Sequence, residues 1–235
     1  MGENPLSMIL LVEDEKNLGL TLMERLRQDH FGVSWVTSLH DARETIKNNM
    51  FQLALMDVGL PDGSGFDLAA ELRKTSPTTA IIFMTAYGNP EDRIHGLELG
   101  AEDYVVKPFH LKELLLRIQN VLKRTKFITE NSSSMDKPVK VGKVVVDFSK
   151  FEASVNGQTF SLTHKETALL RLLVTMRGKV ISRDEILDHV WSKDEFPSPR
   201  TVDNFIMRLR RLVEKDAEHP EIIKSIRGVG YQLVY

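Results

Sequence analysis

Met8-Ile9-Leu10-Leu11-Val12-Glu13-Asp14 opens with five apolar residues in a row and closes on two carboxylates. An unbroken apolar run without alternation marks a strand buried on both faces, as in a parallel sheet. The same grammar recurs down the first half of the chain. Leu53–Met56 ends at Asp57, Ala80–Met84 ends at Thr85, and Tyr104–Val106 ends at Lys107. Val33–Val36 supplies one more short apolar run. Between these runs the period changes to that of a helix. Leu18, Leu22 and Leu26 stand at i, i+4 and i+8 within residues 16–29, and Leu39, Ala42 and Ile46 mark a second stripe. Ser64 follows the loop Gly59-Leu60-Pro61-Asp62-Gly63 and is placed to cap a helix through Leu72. Ile94 and Leu97 mark a short helix that stops near Gly100, and Leu114, Leu115, Ile118 and Leu122 mark the last one. Five strands alternating with five helices predict an α/β, doubly wound, five-stranded parallel sheet over residues 7–124, with helices on both faces.

Residues 125–140 break the rhythm. Asn131-Ser132-Ser133-Ser134 and Asp136-Lys137-Pro138 carry no apolar period, so the segment reads as a flexible linker. A second domain is expected over 141–235. It begins with alternation at Val144, Val146 and Phe148, and Asn156-Gly157 is a strong short hairpin signal. Helical periods follow at about 163–176, 182–192 and 199–215, and short β-like runs flank Arg227-Gly228-Val229-Gly230-Tyr231.

Composition narrows the function classes. With 42% apolar residues in 235, the chain has enough to build a core in each domain. It has no cysteine, which excludes disulfides, thiolate zinc sites and a catalytic thiol. The seven histidines have no metal-ligand spacing. No signal peptide is read, and no apolar run approaches the roughly 20 residues of a membrane span, so a soluble, cytoplasmic protein is expected. The net charge of −2 hides an asymmetry. Residues 1–124 carry 13 Lys and Arg against 18 Asp and Glu, whereas residues 141–235 carry 15 against 13. An acidic half joined to a mildly basic half points to two domains with different partners.

Glu13, Asp14 and Asp57 sit at strand carboxyl ends, where open doubly wound sheets bind their ligands. Three converging carboxylates repel one another unless a cation intervenes. Oxygen donors of this kind suit Mg²⁺, which prefers a few carboxylates together with a phosphate. Thr85 and Lys107 at two further strand ends add a hydroxyl donor and a positive charge fit for phosphoryl oxygens, and Pro108 follows in a bond open to the cis form. Together the five strand-end residues make a site fit for a phosphoryl group.

The helix expected from Pro199, with Ser198 as its cap, divides into two faces. Val202, Ile206, Leu209 and Val213 fall within about 60° of arc and form a buried stripe. Arg200, Asn204, Arg208, Arg211 and Lys215 fall within about 80° opposite, with no acid among them. Four cations and an amide on one face suit phosphates and base edges, so double-stranded DNA is the expected partner.

Leu11-Val12-Glu13-Asp14-Glu15, Met56-Asp57-Val58-Gly59-Leu60-Pro61, Met84-Thr85-Ala86 and Asp103-Tyr104-Val105-Val106-Lys107-Pro108-Phe109 resemble the receiver of a two-component response regulator. Leu162-Thr163-His164-Lys165-Glu166, Ser182-Arg183-Asp184-Glu185-Ile186-Leu187, Val190-Trp191, Arg200-Thr201-Val202-Asp203 and the run Ile226–Leu233 resemble the winged helix-turn-helix domain of the OmpR/PhoB subfamily. The resemblance implies that Asp57 takes a phosphoryl group from a sensor histidine kinase. It implies Mg²⁺ on Glu13, Asp14, Asp57 and the Gly59 carbonyl, with Thr85, Lys107 and Tyr104 as phosphoryl-binding and switch residues. It places Arg200, Thr201, Asn204, Arg208, Arg211 and Lys215 toward the major groove of promoter DNA, Arg227 on the wing, and Ser192–Ser198 in a loop facing RNA polymerase. It further implies a homodimer on phosphorylation through Arg93, Glu98, Asp103, Glu113, Arg117 and Arg124, with Arg93–Glu113 and Asp103–Arg117 as intersubunit pairs. Such a chain is a phosphoacceptor that assists its own Mg²⁺-dependent transfer and dephosphorylation, not an enzyme. Phe205 and Met207 depart from the pattern, where relatives often carry His and a cation. Two alternatives fit the residues less well. A haloacid-dehalogenase-type phosphohydrolase needs a second Asp two residues after the nucleophile, where Gly59 stands. A phosphorylation-independent DNA-binding regulator would leave the acidic site, Thr85 and Lys107 without a use.

Overall fold

The computed structural model describes residues 7–86, 92, 95–97, 99–130, 137–191 and 199–235, without the side chains of 124–130 and 199. The chain divides into two compact units, Met1–Thr125 and Lys126–Tyr235.

The first unit is built on a parallel sheet of β1 (Met8–Val12), β2 (Gly32–Val36), β3 (Leu53–Asp57), β6 (Ala80–Thr85) and β7 (Asp103–Val106), in the order β2-β1-β3-β6-β7. The continuous apolar runs are explained by burial on both faces. Ile9, Leu11, Leu55, Ile82 and Met84 pack with Leu22 and Leu26 of α1 (Lys16–Gln28) and with Leu114 and Ile118 of α4 (Leu111–Glu130). Their neighbours Leu10, Val12, Ala54, Met56, Ile81 and Phe83 pack on the other side, with Leu39 and Ala42 of α2 (Leu39–Asn48) and with Leu68 and Leu72 of α3 (Gly65–Thr75). Alternate residues of one strand therefore feed two cores. The helix expected around Ile94 falls largely outside the described residues; His95–Leu97 are helical and Gly100 turns at φ +79°.

The caps follow the sequence only in part. Ser64 accepts from Phe66 N at 3.2 Å, as its position suggests. The loop from Gly59 to Gly63 is a small hairpin, β4 (Gly59–Leu60) against β5 (Gly63–Ser64). From its tip Asp62 accepts from Leu39 N at 2.8 Å and His40 N at 2.9 Å, a second cap for α2 beside that of Ser38. Those two backbone bonds hold the Asp62 carboxyl below its ordinary range.

Both ends of the segment expected as a linker are structured. Helix α4 runs on to Glu130, because residues 125–130 contain no Gly or Pro to stop it, and the first strand of the second unit opens at Val139. Residues 131–136 lie outside the description.

The second unit opens with a four-stranded antiparallel sheet of β8 (Val139–Val141), β9 (Val144–Asp147), β10 (Glu152–Val155) and β11 (Gln158–Ser161). Asn156 and Gly157 form its two-residue turn, both at positive φ, as hairpin twist requires. Three helices follow, α5 (His164–Thr175), α6 (Arg183–Val190) and α7 (Pro199–Val213), the first two closed by capping boxes from Thr163–Glu166 and Ser182–Glu185. A three-stranded sheet completes the winged-helix unit, with β14 (Gly230–Leu233) between β12 (Val180–Ser182) and β13 (Ile223–Ile226). Phe148, Leu169, Leu173, Val202, Ile206, Leu209 and Val213 lie in one core.

Candidate functional site

The strand order puts the reversal of the first sheet between β1 and β3, and the residues that end those strands face one another there. One oxygen each of Glu13, Asp14 and Asp57 lies within 4.8 Å of the others, the one such grouping among the described residues. Glu13 is wholly buried, Asp57 nearly so, and Asp14 is exposed. Asp57 is fixed by its own chain: Gly59 N–H donates to Oδ1 at 3.0 Å. Gly65 stands so close behind that a Cβ there would come 2.2 Å from the Asp57 carbonyl oxygen, which brings the start of α3 against the end of β3.

Lys107 closes the cluster from β7. Its ammonium donates to both Glu13 oxygens at 2.9 and 2.8 Å and to Asp57 Oδ2 at 2.5 Å. The Lys107–Pro108 peptide is cis. Burial pushes the Glu13 carboxyl above its ordinary value, against the opposing pull of Lys107. Burial alone would lower Lys107, but its hydrogen bonds to Asp57 and Glu13 outweigh that and hold the ammonium above its usual value. One ammonium against three carboxylates leaves the cluster short of positive charge. Oxygen-only donors, one of them open to solvent, fit a hard divalent cation.

Thr85 is buried at the end of β6, beside this cluster in register: its carbonyl accepts from Lys107 N at 2.6 Å. Tyr104 is turned inward, with its ring 6.2 Å from that of Phe83. The residues expected on the dimer face fare differently. Arg93 and Glu98 lie outside the described residues, as does the side chain of Arg124. Asp103 and Arg117, expected as an intersubunit pair, also meet within one chain. Arg117 binds Asp103 at the start of β7 and Glu113 one turn back on its own helix, each at 2.8 Å.

On α7 the buried stripe is as expected, with Val202, Ile206, Leu209 and Val213 in the core. Arg200 and Arg211 are exposed and Asn204 is partly so. Lys215 is exposed but lies two residues beyond the end of the helix. Thr201 is a correction: it is buried, since it falls on the inward side of the first turn. Arg208 is not free for a partner alone. It pairs with Glu166 at 3.4 Å and lies 5.5 Å from the Phe205 ring centre. Arg227 is exposed on the β13–β14 turn, whereas Ser192–Ser198, including the expected cap, lie outside the described residues.

Sequence reasoning missed what anchors α7. Arg210 points inward and donates to Ile223 O at 3.0 and 2.7 Å and to Ser225 Oγ at 2.9 Å. Glu214 accepts from the backbone of Glu221, Ile222 and Ile223. Asp203 takes Tyr231 O–H at 2.6 Å and Arg183 at 2.8 Å. Phe205 is buried edge-on against Trp191, centroids 5.3 Å apart. A cation at the Arg210 position gave no sign by type alone; its helical phase, about 40° from the edge of the buried stripe and about 80° from the nearer edge of the basic face, was the available signal.

Residues 9–119 match the model of the response regulator receiver domain, and residues 157–233 match that of the transcriptional regulatory protein C-terminal domain. The chain is 36% identical over 225 residues to the sensory transduction protein RegX3 of Mycobacterium tuberculosis, across 96% of this chain and 98% of that one. It is 35% identical over 229 residues to the transcriptional activator protein IrlR of Burkholderia pseudomallei, across 96% and 95%. Among solved structures it is similar to DrrB, an OmpR/PhoB homolog of Thermotoga maritima, with TM-score 0.50, 31% identity and coverage of 98% and 100%. A RitR mutant aligns at TM-score 0.81 and 28% identity over 97% and 98% of the two chains.

Proposed function

Because this chain belongs to the two-component response regulators of the OmpR/PhoB type, we propose that Asp57 is its phosphoacceptor and that phosphorylation there controls DNA binding by the winged-helix unit. The observation that carries the reading is the Glu13–Asp14–Asp57 cluster with the Lys107 ammonium across it, at the switch point of the sheet.

The Asp57 carboxylate attacks the phosphorus of a kinase phosphohistidine. The new P–O bond forms as the P–N bond breaks, and the imidazole keeps the electron pair and takes up a proton. Glu13, Asp14, Asp57 and the Gly59 carbonyl would hold Mg²⁺, which when bound supplies positive charge to the phosphoryl oxygens. Lys107 must loosen from Asp57 Oδ2 to free the nucleophile, and its charge then moves to the phosphoryl group. Thr85, at the end of β6, donates its hydroxyl to the same group, and the inward position of Tyr104 fills the space that Thr85 leaves. The remodelled face about Asp103, Glu113 and Arg117 supports a symmetric homodimer. To enter it, the internal Arg117 pairs must rearrange, with Arg93, Glu98 and Arg124 completing the charge set. Arg200, Asn204, Arg211, Lys215 and Arg227 meet promoter DNA in the cytoplasm, and Arg208 joins them once released from Glu166.

The test is chemical. Purified chain with Mg²⁺ and a small phosphodonor should gain one acid-stable, base-labile acyl phosphate, seen as an intact-mass increment. Asp57→Ala should gain none. Equal labelling of both proteins would remove Asp57 from the role.

A further inference from the structure

We infer that Trp35 is a positioning residue for the cation site, holding the turn after β1 so that the Glu13 carboxylate stays beside Asp57. The inference rests on the reading of Glu13, Asp14 and Asp57 as cation ligands.

The Trp35 indole N–H donates to the main-chain oxygen of Glu13 at 2.9 Å, across 22 residues of sequence. The Glu13 N–H in turn donates to Val36 O at 3.1 Å. Strand β2 therefore grips the Glu13 residue on both sides, one bond from its backbone and one from a side chain. The second bond takes over a carbonyl that would otherwise turn to water at the strand end. The carboxylate that hangs from this clamped residue is the one that is wholly buried and bidentate to Lys107.

The opposite side of the ring is just as specific. Gly19 occupies the second turn of α1, where almost any other residue favours a helix more. Its φ is not positive, so backbone freedom does not explain it. Space does: a Cβ at Gly19 would lie 2.4 Å from Trp35 Cε2 and Cζ2 and 2.6 Å from Nε1. The helix gives up a side chain, and the indole nitrogen sits at bonding distance from Glu13. Removing an outer partner that orients a ligand typically costs 10–100-fold in metal affinity.

Mg²⁺ binding to the full chain, measured by titration calorimetry, tests the assignment. Trp35→Phe keeps most of the ring and loses the donor, and it should weaken Mg²⁺ roughly tenfold. The sulfur isostere of tryptophan at position 35 has the indole shape without the N–H and should weaken it equally; a packing role alone would leave that variant at wild-type affinity. Gly19→Ala should weaken Mg²⁺ when Trp35 is present and change nothing further in a Trp35→Val background. Wild-type affinity in both Trp35→Phe and the isostere variant, with Mg²⁺ still bound by the parent chain, overturns the role of Trp35 and leaves the cation reading standing. Absence of Mg²⁺ binding by the parent chain overturns both.

Discussion

Lys107 carries the balance of the acidic cluster, since one ammonium is shared between a wholly buried Glu13 and a nearly buried Asp57. Removing one partner of a buried pair leaves the other charges uncompensated, which costs about 3 kcal/mol. Lys107→Met should therefore lower the stability of the metal-free chain by about that amount in chemical unfolding. Mg²⁺ should restore more of the loss than it adds to the wild type, because a bound cation stabilises the folded state by mass action and no ammonium competes for Asp57. A variant as stable as the wild type and indifferent to Mg²⁺ would contradict the electrostatic account. At this scale the sequence was legible where chemistry sits at a strand end. Glu13, Asp14, Asp57, Thr85 and Lys107 were all readable because an apolar run pointed at each. Trp35 was not, because its role is a bond from an indole to a backbone atom, which no spacing announces.

Helix α7 carries two jobs on one cylinder. Its outward cations face solvent, while Arg210, Glu214 and Asp203 fasten it to β13, β14 and α6. Exposed Arg211 should then contribute to DNA binding alone: Arg211→Ala should leave the unfolding midpoint unchanged and lower the salt slope of binding by about 1 if it meets a phosphate. Arg208→Ala should also cost up to about 1 kcal/mol of stability, since it loses a partly buried ion pair with Glu166. If the two variants lose stability equally, the division of labour is wrong. The Asp203–Tyr231 bond gives a pH signature. Burial, with Asp203 as hydrogen-bond acceptor, pushes the Tyr231 hydroxyl up from 10.0 to about 12. The folded pKa is raised, so this contribution is complete below about pH 10 and is lost as pH rises through about 12. Phenolate absorbance should show one tyrosine ionising late, and Tyr231→Phe should remove that step and cost about 1 kcal/mol at neutral pH. Retention of the late step in the variant would assign it elsewhere. The buried stripe of α7 was legible from its period, and the Asn156-Gly157 turn from its dipeptide. The continuation of α4 to Glu130 was not, because the stripe of Ile118 and Leu122 next meets polar Thr125 and Lys126, although nothing in residues 123–130 breaks a helix.

At the scale of the molecule, the charge asymmetry of the sequence corresponds to two units with separate cores and separate chemistry. The first gathers carboxylates at a sheet switch point, and the second exposes cations along a helix and a turn. Both fold classes were readable because each unit keeps its own hydrophobic period from end to end: continuous runs in the first, alternation and then helical stripes in the second. The internal pairing of Arg117 was not readable, because a charge set that suits a two-fold axis suits a single chain equally well. On the proposed reading, an aspartyl phosphate in one unit changes what the other does to DNA. An aspartyl phosphate biases such an equilibrium only through a difference in free energy between two arrangements, so the effect must appear as affinity. The direct measurement is the dissociation constant of the full chain for its selected DNA sequence, at one fixed salt concentration, with Mg²⁺ and with or without phosphodonor. The wild type should bind several-fold more tightly after phosphodonor, and Asp57→Ala should bind with one affinity throughout. Equal affinity of the wild type in both conditions, or the same gain in Asp57→Ala, would contradict it.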